Sequence, residues 1–225
     1  MTHDITVKAG ASIRLLTAGK YCDRDIIVTA TGGGSDGDAV LPDGYKQVDY
    51  IEFTGKQIVD TGIIGNQNTQ ITCSFTWGNA TQNHVFGCAS SDNTASITSY
   101  MNGSWRFGNK SATKTIMKNN TLLPYAVFVN KSMIGVTGSN ASISDVNDFE
   151  TIGTLLLGGA RSASGALPSS GFVGRVFYFN HWSGDTQTIK LIPVVSAEGV
   201  YRFFDRVSKS FFDSNTDTPL EGGNL

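Results

Sequence analysis

The residues from which catalysis would have to be built are few: three histidines, four glutamates and one Asp-Thr-Gly tripeptide. Asp60-Thr61-Gly62, preceded by Ile58-Val59 and followed by Ile63-Ile64, has the form of half a carboxylate dyad. In such a dyad two aspartates share one proton, and a second copy of the chain would have to bring the partner acid. Thr154 to Gly159, TLLLGG, imitates the apolar strand that supports such a loop, but no helix-forming segment follows it. Asp60 is therefore expected to be a turn or capping residue at a strand that ends in a glycine turn. Nucleophilic catalysis fares no better. His3 is terminal, His84 and His181 adjoin apolar runs, and no G-x-S-x-G elbow is present to raise a serine. No catalytic residue is assigned.

Binding chemistry has a better candidate in Tyr100-Met101-Asn102-Gly103-Ser104-Trp105-Arg106-Phe107. A sugar site needs an aromatic face for the apolar side of a pyranose and planar amide or guanidinium groups for its vicinal hydroxyls. Tyr100, Asn102, Trp105 and Arg106 bring those groups together on a turn between two strands, and Asn83 and His84 begin a neighbouring strand. The alternation Trp105, Arg106, Phe107 favours the simpler reading, in which both rings face a core and Arg106 faces water. Trp77 and Trp182, each ending an apolar strand, are expected in the core.

Cofactor and metal signals dissolve on inspection. Gly32, Gly34 and Gly37 satisfy G-x-G-x-x-G, yet Pro42 and Gly44 follow where a phosphate-binding helix would have to start, so this stretch reads as a linker. Asp36, Asp38 and Asp43 suggest a calcium loop, but Gln47 stands where the bidentate glutamate belongs. Cys22, Cys73 and Cys88 are odd in number and widely spaced, which predicts free thiols, with Cys73 in the core. No cofactor is expected, and calcium has no specific motif.

These groups must be positioned by strands. The chain has 225 residues, 26 of them glycine and 13 phenylalanine, against only four glutamates, a composition of strands and turns. Net charge is −2 and charged residues make up 16%, so no overall positive field draws in nucleic acid or anionic lipid. No apolar run approaches the ~20 residues of a spanning helix, and no signal peptide is read at the N-terminus. Three regions follow: a small β module at 1–31, a Gly-rich linker at 32–43, and a domain at 44–225. In that domain Gln47 to Phe53 and Gln57 to Ile63 read as an opening hairpin about Thr54-Gly55-Lys56. Gln70 to Trp77 alternates Ile71, Cys73, Phe75 and Trp77 against Gln70, Thr72, Ser74 and Thr76, which makes a half-buried strand. Further β-prone runs, Thr113 to Met117 among them, recur every 8 to 12 residues or so. Phe172 to Trp182 is apolar on both faces and reads as a central strand covered on two sides, and only Ser144 to Glu150 suits a helical turn. The fold class is all-β.

Three segments carry a resemblance: GYKQVDYIEFTGKQIVDTGI, GFVGRVFYFNHW and LIPVVSAEGVYRFFDRVSKSFFDSNTDTPLEGG. They resemble the concanavalin-A-like, laminin-G-like jelly-roll domains of bacteriophage and prophage tail, baseplate and fibre proteins. ASIRLLTAGKYCDRDIIVTATGGG is similar to the short pseudo-repeat that precedes such domains. The resemblance implies a two-sheet antiparallel jelly-roll sandwich whose first and last strands pair. It also implies a virion tail component made in the bacterial cytoplasm, working as a homo-oligomer beside other tail or baseplate proteins. Some members bind glycans and others are architectural, so the partner it implies is a host-cell surface glycan. Glucanases of that fold carry E-x-D-x-E or E-x-D-x-x-E; Glu52, Glu150, Glu198 and Glu221 stand in no such pattern, so glycoside hydrolysis is not expected.

Overall fold

The computed structural model describes residues 40–78, 84–90, 95–100, 104–113, 124–136, 139–168 and 171–224. Contacts divide the chain into Met1–Val40 and Leu41–Leu225. The β module expected at 1–31 and the linker up to residue 39 lie outside the described residues, as does most of the strand expected at Thr113 to Met117.

In chain order the first strands are β1 (Tyr45–Gln47), β2 (Tyr50–Thr54), β3 (Val59–Asn66), β4 (Thr69–Trp77), β5 (His84–Ala89), β6 (Ser96–Tyr100), β7 (Ser104–Gly108) and β8 (Lys110–Thr113). They continue with β9 (Tyr125–Asn130), β10 (Met133–Val136), β11 (Ser139–Ser142), β12 (Glu150–Leu157), β13 (Val173–Ser183), β14 (Thr186–Ser196), β15 (Tyr201–Asp205), β16 (Phe211–Phe212) and β17 (Glu221–Gly223). They form an all-β sandwich of two antiparallel sheets. The larger runs β11-β10-β9-β4-β13-β14-β15-β16, with β1 on β14 and with β2, which carries β17, on β13. The smaller runs β3-β12-β5-β6-β7-β8.

Alternation explains which faces meet. Ile71, Cys73, Phe75 and Trp77 of β4 are all buried, as the period-2 pattern requires. Phe86 of the smaller sheet meets Phe179 of the larger, ring centroids 6.0 Å apart and near edge-on, and it meets Trp105 at 6.4 Å. Phe172 joins Phe53 at 6.0 Å and Phe75 at 5.9 Å. Each such pair adds about 1 kcal/mol beyond the area it buries. Pro193 lies where β14 exchanges one neighbour for another, between the Leu191–Phe179 and Val194–Gln47 pairs, so its missing N–H interrupts neither ladder.

The opening stretch is not a hairpin. β2 pairs with β13 and β17 in the larger sheet, whereas β3 pairs with β12 in the smaller. The chain crosses between layers at Gly55, whose φ of +91° suits glycine, and at Gln57, a fully buried glutamine. Gln57 Oε1 accepts the Thr54 N–H at 2.8 Å and the Thr54 hydroxyl at 3.0 Å, while its Nε2 donates to the Pro219 carbonyl at 3.2 Å. Satisfying a buried amide this fully holds the crossing in place. The last strand does return to the first segment, since Glu221, Gly222 and Gly223 pair with Glu52, Ile51 and Tyr50.

Two further expectations change. Residues 144–149 form neither helix nor strand, and Asp145 has a φ of +56° there. β13 is central, but its outer face is only half-buried: a register shift between Val176 and Tyr178 resets the alternation, so that Val176, Phe179 and His181 point inward. Trp182 consequently stands on the outer side, half-buried rather than in the core.

Candidate functional site

The Asp60-Thr61-Gly62 tripeptide falls on a double irregularity between β3 and β12. The register jumps between the Thr154–Ile64 and Leu156–Asp60 pairs, and again between Glu150–Asn66 and Thr154–Ile64. Thr61 Oγ1 bridges the first jump, donating to the Leu155 carbonyl at 2.7 Å, and Asp60 Oδ1 accepts the Gly62 N–H at 3.0 Å. The other oxygen, Oδ2, takes Arg161 Nη2 at 2.6 Å. Arg161 is bound on all sides: Nε reaches the Thr154 carbonyl at 3.1 Å, Nη1 the Gly165 carbonyl at 2.8 Å, and Nη2 also the Thr154 hydroxyl at 3.1 Å. The two side chains are only 14% and 28% exposed. Gly153 makes room, because a Cβ there would stand 2.1 Å from Arg161 Cδ. Asp60 thus pins a loop to a bulged strand pair, and both of its oxygens are already engaged. Sequence reasoning missed Arg161, which sits alone in a Gly-, Ala- and Ser-rich loop 101 positions from its partner.

The expected sugar cluster separates. Trp105 is 0% exposed and packs on Phe86, so its ring has no face left for a pyranose; of its two readings, the core position is the observed one. Arg106 is exposed on the outer face of the smaller sheet. It stands in register between Thr98 of β6 and Ser111 of β8, which sets a guanidinium between two hydroxyls across three strands. His84 is the cross-strand partner of Tyr100. Burial pushes the His84 imidazole down to about 4, partly offset by a backbone hydrogen bond at Ser99, so it is neutral at pH 7. Asn83 and Asn102 lie outside the described residues, as does the Tyr100 side chain.

Other ionisable groups serve the fold. Cys73 and Cys88 are free and buried; burial raises both thiols, that of Cys88 to about 11, which keeps them protonated and unreactive. Asp205 is 1% exposed and accepts the N–H groups of Lys190 at 2.7 Å, Val207 at 3.1 Å and Ser208 at 3.0 Å, plus the Ser208 hydroxyl at 2.6 Å. Among the described residues no three His, Cys, Asp or Glu side chains gather as metal ligands would, and no helix is long and apolar enough to cross a membrane.

No family model matches the sequence, and no curated protein matches it.

Proposed function

We propose that this chain is a non-enzymatic component of a bacteriophage or prophage tail, whose sandwich, a jelly-roll of the concanavalin-A-like kind, recognises a host-surface saccharide. The observation that carries the reading is the exposed Arg106 in register between Thr98 and Ser111. A planar guanidinium flanked by hydroxyls is suited to paired hydrogen bonds with vicinal sugar hydroxyls. The engagement of both Asp60 oxygens by Arg161 and Gly62 supports the non-catalytic part, since an acid catalyst needs a carboxyl group open to substrate and water. One shallow site binds weakly, and homo-oligomeric copies on one tail raise avidity through effective concentration. The partners are then the host glycan, other tail or baseplate proteins and further copies of the chain, in the virion tail. The net charge of −2 offers nothing for nucleic acid.

Glycan-array binding by the full chain, displayed multivalently, tests this reading. Dose-dependent capture of bacterial surface oligosaccharides is the expected result, and an array on which the multivalent protein captures none refutes it. A second reading, an assembly or decoration domain, is favoured by one observation. Ile64 is 41% exposed and Ile152 54%, and Ile152 lies in the bulged part of β12 between the residues that pair with Asn66 and Ile64. Under that reading Ile152→Lys abolishes self-association or docking to tail proteins in sedimentation experiments and leaves glycan capture untouched.

A further inference from the structure

We propose that the outer face of the larger sheet holds a stacking-type saccharide site, centred on Trp182, Asn180 and Thr72, that takes an uncharged pyranose. This adds a second site to the saccharide-binding reading and rests on it.

The site follows from register. On β4, β9 and β13 the inward residues are Ile71 and Cys73, Val127 and Val129, and Phe179 and His181, all buried. The residues between them therefore face away from the core. Cross-strand pairing then aligns Trp182 with Gln70, and Asn180 with Thr72, which in turn faces Phe128 of β9. Trp182, Asn180, Thr72, Gln70 and Phe128 are all half-buried: fixed by their neighbours, yet still open to water. An indole and a phenyl ring with amides and a hydroxyl between them is the chemistry a sugar ring requires, apolar surface for its C–H face and directional donors and acceptors for its edge. Trp182 and Asn180 stand two residues apart on one strand, about 7 Å.

The polar members are already oriented. Asn180 Nδ2 donates to Thr72 Oγ1 at 3.1 Å, and Gln70 Nε2 donates to the Gly184 carbonyl at 2.7 Å, in the turn between β13 and β14. Their carbonyl oxygens accept no bond among the described residues. Holding an amide by its nitrogen while its oxygen stays available lowers the entropy cost of binding.

Charge selects the ligand class. Farther along this face Arg175 and Glu52 pair at 3.6 Å, with the guanidinium 4.2 Å above the Tyr50 ring, and so cancel. Lys190, the cross-strand partner of Asn180, adds a cation beside the site. A face of two rings, two amides and a hydroxyl with one cation at hand suits a neutral, hydroxyl-rich ligand, whereas a polyanion needs a run of unopposed cations. This site is separate from Arg106, which lies on the outer face of the other sheet.

The test displays the full chain and its variants multivalently on an array of neutral and acidic bacterial oligosaccharides. Trp182→Ala and Asn180→Ala are expected to weaken binding to neutral glycans by about tenfold or more. Trp182→Phe should retain most of it. Thermal melts accompany every variant; should Trp182→Ala fail to fold, Asn180→Ala and Trp182→Phe carry the test. Unchanged binding in Trp182→Ala and Asn180→Ala, with loss in Arg106→Ala, overturns this site and leaves the saccharide-binding reading standing. Binding confined to acidic glycans overturns the ligand class. A wild-type chain that binds no glycan overturns both proposals.

Discussion

The two sheets secure a carboxylate at their margins in opposite ways. In the larger sheet Asp205, 1% exposed, is held by three backbone N–H groups and one hydroxyl, with no cation among those donors. In the smaller sheet Asp60, with its side chain 28% exposed, is held by a guanidinium that also grips Thr154 and Gly165. The difference is one of chain geometry. The tight turn after β15 aims neighbouring N–H groups at one point, so a buried anion needs no counter-ion there. Asp60 faces a strand and a loop remote in sequence, and only a long forked cation spans them.

Removing Asp205 should break the comparison most severely. Asp205→Ala leaves the N–H groups of Lys190, Val207 and Ser208 without their acceptor, and about 3–5 kcal/mol of stability should be lost, read from the urea midpoint. A loss under 1 kcal/mol would mean that water replaces the carboxylate.

The same sheet buries a base. His181 is 4% exposed, with Nδ1 on the Thr188 hydroxyl and no partner for Nε2 among the described residues, and burial pushes it down to about 4. The unfolded chain takes up this proton near 6.5, so between those values the unfolded state binds more protons. Stability is complete above pH 6.5 and falls as pH drops toward 4, by on the order of 3 kcal/mol for this residue. Unfolding midpoints measured from pH 7 to pH 4 should show the slope, and His181→Gln should flatten it. A slope unchanged by His181→Gln would assign the acid sensitivity elsewhere, with His84, pushed down in the same direction, the next candidate.

The ionic margin should give the smallest effect, since Arg161 and Asp60 are both partly solvated. Arg161→Met is expected to cost about 1–2 kcal/mol, less in high salt. Gly153→Ala should cost a similar amount, because its methyl group would displace the Arg161 side chain, and the two together should cost little more than either alone. Full additivity would show that Gly153 serves something other than Arg161.

The two margins also differ in how readable they were. The Asp205 turn is a local pattern, an aspartate followed by Arg-Val-Ser, whose donors lie within three residues apart from Lys190. The Asp60 partner lies 101 residues away and had no signal beyond an isolated arginine among small residues. Trp105 and Trp182 show the same limit. Strict alternation of Trp105, Arg106 and Phe107 pointed to the core correctly. Trp182 was misplaced because β13 slips register after Val176, and one slipped residue exchanges inside for outside. Its outward position was half visible in the partner strand, where Gln70 and Thr72 already marked the polar face of β4.

From sequence alone came the all-β class, most strand positions and the inward-facing side of β4, because glycine-rich turns, scarce helix formers and a period of two are local properties of the chain. The tertiary structure decided which strands are neighbours. It sent β2 and β3 to different sheets, gave Asp60 its arginine and turned Trp182 outward. Alternation specifies a face but carries no address for the partner strand, and that choice is made by packing among residues far apart in the chain.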